Sequence, residues 1–226
     1  MERPMLFNTR MVKAILEGRK TVTRRLMRPE EAWACENNGD LHFRVQKGDV
    51  LWVRETWAFW PCVTCGERDT CAEKPASMET ADGETEGCFL YRADGETPIF
   101  RSGQIWRPSI HMPRQAARIF LQVTEVRAER LRESIFEAKR PPMAEFYNEG
   151  VADDADHTNC SNCKVLFGAP ECRGKDSKCV PIQKTSEKFA RLWDSTVPKD
   201  KLEELGWAAD PWVWVIRFER CEAPGS

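Results

Sequence analysis

Three runs of β-branched and aromatic residues constrain the fold more than any other feature of the chain: GDVLWVRETW at 48–57, ARIFLQVTEVRAERL at 117–131 and PWVWVIRFERC at 211–221. Side chains of this kind pack well on a pleated, half-buried surface, so each run reads as a strand. Pro211 opens the last one at a position where its missing N–H is tolerable. FLYRADG at 89–95 is a shorter strand candidate. Helical spacing is rarer. Met11, Val12, Ile15 and Leu16 recur on one helix face, with Asn8 or Thr9 as cap and Gly18 as stop, and further helices fit 133–148 and 186–195, the second capped by Thr185 or Ser186. Separated strands with few helices predict an α+β fold, a small β-barrel with helices packed outside it. A length of 226 residues favours a single domain over 1–226, with insertions, rather than two equal domains.

Two stretches fit neither period. Residues 60–88 and 152–183 are polar, contain Gly and Pro, and hold most of the ten cysteines, so both read as insertions. The N-terminal MERPMLFNTR lacks the apolar stretch of a signal peptide, and no apolar run has the length of a membrane span, so the expectation is a cytoplasmic protein without a membrane partner. In a reducing compartment, cysteines serve as metal ligands or thiols more readily than as disulfides. Cys160, Cys163, Cys172 and Cys179 begin with the C-x2-C knuckle that lets two thiolates share one ion. Cys62, Cys65, Cys71 and Cys88 form a second, less regular set. Each set predicts a structural zinc, one or two ions in all, with no open position for catalysis. Cys35 and Cys221 are left as free thiols.

Charge is segregated. EGRKTVTRR at 17–25 places Arg19, Lys20, Arg24 and Arg25 behind one glycine, in a chain of net charge −2. Residues 1–29 hold eight basic side chains against Glu2 and Glu17, and residues 101–118 hold four arginines and no acid. Residues 30–98 carry fifteen acids and six bases. A local basic face of this kind suits phosphate, although for any single residue a solvated helix face is the better explanation of the charge. In a regular strand Lys20 and Thr23 would point apart, so their cooperation requires a turn or bulge between them.

WRPSIHMPR at 106–114 adds a second candidate surface. Two prolines force an extended path, Trp106 offers a stacking face, and Arg107, Ser109, His111 and Arg114 offer donors, a set suited to a single-stranded or flipped-out base beside phosphate. The alternative is a rigid loop whose Trp106 and Ile110 cover the end of the barrel. Glu55, inside an apolar strand run, is a further candidate site residue for substrate or nucleic acid; its structural alternative is a buried acid, costly unless paired, with Arg54 and Arg24 as expected partners.

Taken in order, PMLFNTRMVKAILEGRKTVTRRLMRP, GDVLWVRETWA, YRADG, WRPSIHMPRQAARIFLQVTEVRAERL, NEGV, FARLWDS and DPWVWVIRFER resemble the ASCH-domain proteins found in phages and prophages, over more than half of the chain. The resemblance implies a PUA-like barrel, the fold class of RNA-binding PUA domains and of readers of modified bases. Within that group, Gly18 to Thr23 match the G-R-K-T-x-T motif of the bacterial N4-acetylcytidine amidohydrolases. The match implies Lys20, Thr23 and Glu149 as catalytic residues, with Glu145 as the neighbouring alternative to Glu149. The cysteine-rich insertions lie outside it.

Amide hydrolysis needs a nucleophile, a base to accept its proton, and a donor for the departing amine. Thr23 could attack the acyl carbonyl if Lys20 were neutral, which burial or the nearby charges of Arg19, Arg24 and Arg25 would favour. Glu149 could hold the exocyclic nitrogen or relay a proton to it. From spacing alone, K-x-x-T is a very common pattern that favours a solvated lysine followed by a strand threonine, with Glu149 a helix-terminal acid; only the family resemblance lifts the catalytic reading. Three functions therefore compete: an amidohydrolase acting on an acylated cytidine-type base, a non-catalytic module that binds RNA or a modified base, and a ribonuclease using the same basic cleft. In each case the partner is RNA or a modified nucleoside.

Overall fold

A computed structural model describes residues 1–37, 39, 41, 44–62, 76–80, 83–95, 106–133 and 182–224. The predicted helix at 133–148 and the insertion at 152–183 lie almost wholly outside these residues. The chain divides into two compact units. The first comprises Met1, Ala14–Asp49 and Gln122–Arg220; the second comprises Glu2–Lys13, Val50–Leu121 and Cys221–Ser226.

The N-terminal strand β1 (Glu2–Leu6) leads into helix α1 (Thr9–Leu16). Asn8 caps α1 as expected, its Oδ1 accepting from the Met11 N–H at 2.9 Å. At the other end Gly18 takes φ +73°, a left-handed turn that only glycine adopts without strain. That turn folds the chain back, so the Arg19 and Lys20 N–H groups both donate to Ala14 O, at 2.8 and 3.0 Å. Strand β2 (Val22–Leu26) then begins, and Lys20 sits just before it.

In the first unit, β2 pairs antiparallel with β8 (Trp212–Cys221), setting Thr23 opposite Ile216 and Arg24 opposite Val215. Val22, Val213 and Val215 form a core with Phe189, Trp193 and Val197, contributed by helix α3 (Ile182–Thr196) and the residue following it. The helix starts ahead of Thr185 and Ser186, which therefore lie inside it rather than at its cap. Trp193 Nε1–H donates to Leu205 O at 2.9 Å, which ties the short helix α4 (Leu202–Leu205) onto α3. Helix α2 (Pro29–Glu36) escapes the sequence reading because its apolar residues are too few for a stripe, yet its start signals are present: Pro29 opens it, and Glu31 accepts from the Arg28 N–H at 2.9 Å.

In the second unit, the 48–57 run breaks into β3 (Val50–Arg54) and β4 (Trp57–Pro61), because its halves have different partners. β3 lies parallel to β1, whereas β4 pairs antiparallel with β6 (Gly83–Tyr91), which also pairs with β5 (Ala76–Thr80). β5 thus lies inside 60–88, a stretch whose composition reads as an insertion, and β6 begins there and runs into the strand candidate at 89–95. Gly87 is required there, since a Cβ would meet Trp60 O at 2.4 Å. Trp57, Phe59, Met78, Met112 and Ala116 form this unit's core.

The long strand β7 (Phe120–Arg130) begins in the second unit, where Val53 N–H reaches Ile119 O at 3.0 Å, and continues in the first, where Val123 N–H reaches Asp49 O at 2.8 Å. The strand order is β1-β3-β7-β8-β2, with β4-β6-β5 as a separate sheet. The α+β class holds, but the expected closed barrel does not. Among the described residues β1 and β2 are open edges.

Candidate functional site

In the first unit the Lys20 side chain is 2 % exposed and Thr23 is 2 % exposed, so the solvated-lysine alternative fails for this residue. The tight turn at Gly18 places Lys20 outside the strand period, and its Nζ curls forward to donate to Val22 O at 2.7 Å. Thr23 is the second residue of β2 and is buried against the sheet it joins. Of the flanking arginines, Arg19 pairs with Glu17 through Nε at 2.7 Å, and Arg24 is 6 % exposed with its guanidinium 5.8 Å from the Phe189 ring. Arg25 is half-buried on the same strand. Glu149 and its alternative Glu145 lie outside the described residues.

The second unit buries a carboxylate. Glu55 is 1 % exposed, but its partner is neither Arg54 nor Arg24. Arg118 donates to it twice, from Nε at 3.0 Å and from Nη2 at 3.2 Å, and turns its other edge to Asp94 at 2.9 and 2.7 Å. The same guanidinium lies 3.8 Å from the centroid of the Tyr91 ring. Burial pushes the Glu55 carboxyl above its ordinary range, against the downward pull of the Arg118 hydrogen bonds and charge, while nearby Asp94 adds to the rise. Arg54, the expected partner, instead donates to the Met112 carbonyl at 3.1 Å and to the Ile110 carbonyl. Arg118 and Asp94 were missed because their partner is distant in sequence; the signal available was an arginine placed directly before an apolar strand.

WRPSIHMPR lies along the second unit. Arg107 and Trp57 exchange backbone bonds, Arg107 N–H to Trp57 O at 2.7 Å and Trp57 N–H to Arg107 O at 3.2 Å. The Arg107 guanidinium sits 5.1 Å from the Trp57 ring, and the buried Trp57 Nε1–H has no acceptor among the described residues. Trp106 is half-buried beneath Arg92, 5.8 Å away. Ser109 and His111 begin and end a short 3-10 turn, Ser109 half-buried and His111 exposed. Arg114 is engaged, with Nε on Glu2 Oε2 at 2.7 Å and its guanidinium 4.4 Å from the Phe120 ring.

Of the eight cysteines expected to hold zinc, Cys65, Cys71, Cys160, Cys163, Cys172 and Cys179 lie outside the described residues. Cys62 is buried just past β4, and Cys88 stands opposite Trp60 on β6, two positions before it. No three metal-ligating side chains gather among the described residues. Cys35 keeps a free thiol, pushed up by burial, 3.7 Å from Met27 Sδ.

No protein-family model matches the chain, and no curated protein matches it. Among solved structures, the chain is similar to the crystal structure of an ASCH domain from Lactobacillus crispatus JV V101, at 11 % identity and a TM-score of 0.30, over 92 % of this chain and 70 % of that one. Superposition at that level transfers no chemistry from the neighbour. No helix among the described residues is long and apolar enough to cross a membrane.

Proposed function

We propose that the chain is an amidohydrolase that removes an acyl group from a cytidine-type base, with Thr23 as nucleophile and Lys20 as its base. The observation that carries this reading is the joint burial of Lys20 and Thr23 around the turn that opens β2. Desolvation disfavours the ammonium form, which is the condition a lysine needs in order to accept a proton. A carbonyl such as Val22 O accepts from an amine as well as from an ammonium, so this bond leaves a neutral amine its lone pair. In the proposed reaction Thr23 Oγ1 forms a bond to the acetyl carbon as its proton passes to Lys20 Nζ. The carbon–nitrogen bond then breaks, and the exocyclic nitrogen takes that proton, with Glu149 holding the departing group. Water hydrolyses the acyl-threonine, giving acetate and the free base.

The competing readings make different products. Incubating the full chain with N4-acetylcytidine and with unmodified RNA, followed by mass spectrometry, tests all three. The expected result is loss of the acetyl mass from the nucleoside with the RNA left intact. Shortened RNA would instead establish a ribonuclease, and intact starting material in both arms would leave a binding module.

Structural zinc is a second proposal, in which Cys62, just past β4, and Cys88, on the paired strand β6, contribute to one of the two cysteine sets. Elemental analysis of protein purified without added metal is expected to find one or two zinc ions per chain. Well under one per chain would overturn the proposal.

A further inference from the structure

Five arginines of the second unit, Arg54, Arg92, Arg107, Arg114 and Arg118, divide into two kinds. Arg118 is spent on Glu55 and Asp94, Arg114 on Glu2, and Arg54 on two backbone carbonyls. Arg92 and Arg107 are exposed, and among the described residues neither has an acidic partner. Each is held over an indole, Arg92 5.8 Å from the Trp106 ring and Arg107 5.1 Å from the Trp57 ring. A guanidinium resting on a ring is weakly hydrated, restricted in its rotamers, and still has its N–H donors to offer.

Their backbones are pinned at one place. Arg92 N–H donates to Thr56 O at 3.0 Å, while Arg107 bridges the next residue, Trp57, from the opposite edge of β4. Two strand spacings therefore separate the backbones, about 10 Å, a gap that two long side chains span easily. Arg92 reaches back over that gap to Trp106, the residue directly before Arg107. The result is two cations that have no acidic partner among the described residues, bracketing one extended segment.

We propose that Arg92, Trp106, Arg107 and Trp57 form a platform for single-stranded nucleic acid. Each guanidinium can grip a phosphate in bidentate fashion, and its plane is a surface on which an unstacked base can lie. A duplex offers the phosphates but keeps its bases stacked on one another, and a simple polyanion offers no bases at all. The proposal rests on the reading of the chain as acting on a cytidine-type base, and it makes the substrate a polymer rather than a free nucleoside. Arg92 carries half of the platform and went unremarked in the sequence because YRADG was read only as a strand.

The test is fluorescence anisotropy of the full chain with a labelled 12-nucleotide single-stranded RNA, the same DNA sequence, and a duplex, each over a series of salt concentrations. The variants are Arg92→Met and Arg107→Met, singly and together, because Met keeps contact with the rings. The double variant is expected to bind the single strand roughly tenfold more weakly at low salt, and the slope of log affinity against log salt is expected to fall by about 1.4, or 0.7 per phosphate contact. Arg114→Met is expected to leave the slope unchanged. Comparison of the RNA and DNA arms identifies the natural strand. Wild-type slope in the double variant, tighter binding of the duplex, or equal competition by inorganic polyphosphate would overturn the platform. Failure of the hydrolase reading looks different: the wild type would bind single strands through Arg92 and Arg107, yet leave acetylated cytidine intact.

Discussion

Lys20 in the first unit and Glu55 in the second are both almost wholly buried, at 2 % and 1 % exposure, but their surroundings treat the two groups differently. Glu55 meets a cation that holds it by two hydrogen bonds and is itself held by a second carboxylate, so the charge is locked into a four-oxygen clamp. Such a clamp fixes the end of β3 and the Arg92–Asp94 turn to each other and engages four of the five N–H donors of Arg118. Among the bonds of Lys20, the one from Nζ to Val22 O runs to a neutral carbonyl oxygen rather than to a carboxylate. Burial by itself therefore does not mark a reactive group. What surrounds the group matters as well: a cation holds Glu55 in place, and the proposed role of Lys20 as a base is what the variants below test.

The comparison breaks most visibly at Thr23. Thr23→Val keeps the branched shape and removes the hydroxyl, so turnover on acetylated cytidine should fall by at least about 10²-fold while the melting temperature stays close to wild type. A variant that melts early but retains turnover would make Thr23 a packing residue, as Glu55 is an anchoring one.

At the other site the expected effect is on stability. Arg118→Met strands the Glu55 carboxylate in the core, at a cost of about 3 kcal/mol near neutral pH. The cost should depend on pH in a definite direction. Burial already raises the Glu55 pKa in the folded state above that of the unfolded chain, so the folded carboxyl holds its proton where the unfolded one has lost it. Its contribution to stability accordingly falls as pH rises from the unfolded value, about 4.3, through the higher folded one. Removing Arg118 deletes two influences that lower the folded pKa, which widens that window upward. Urea melts should show a larger loss for Arg118→Met at pH 8 than at pH 5, and an equal loss at both would contradict the clamp.

Legibility in the sequence followed the range of the interactions. Helix α1 could be read from end to end because Asn8, the apolar stripe and Gly18 act within a few residues of one another. The strands at 117–131 and 211–221 were equally visible in their composition. The break after Arg54 was not, since it depends on β3 and β4 having different partners far away in the chain. Nor was the clamp, where 63 residues separate Glu55 from Arg118. For the candidate site, the sequence named Lys20 and Thr23, but their burial depends on the turn at Gly18 and on β8, which no local pattern reveals. Trp106 and Arg107 are neighbours that the sequence offers as candidates, whereas Arg92 meets Trp106 only through the fold.

The most direct test of the account is the rate of acetyl release from acetylated cytidine by wild type and by Lys20→Arg, measured by mass spectrometry with circular dichroism as the check on folding. Arginine keeps the positive charge and can hydrogen-bond to a carbonyl, but it does not become neutral at working pH. The account predicts that the wild type releases acetate and that Lys20→Arg, folded and still able to bind single strands, loses at least about 10²-fold in rate. A folded Lys20→Arg protein releasing acetate at the wild-type rate would contradict it, because a permanent cation cannot take the proton from Thr23.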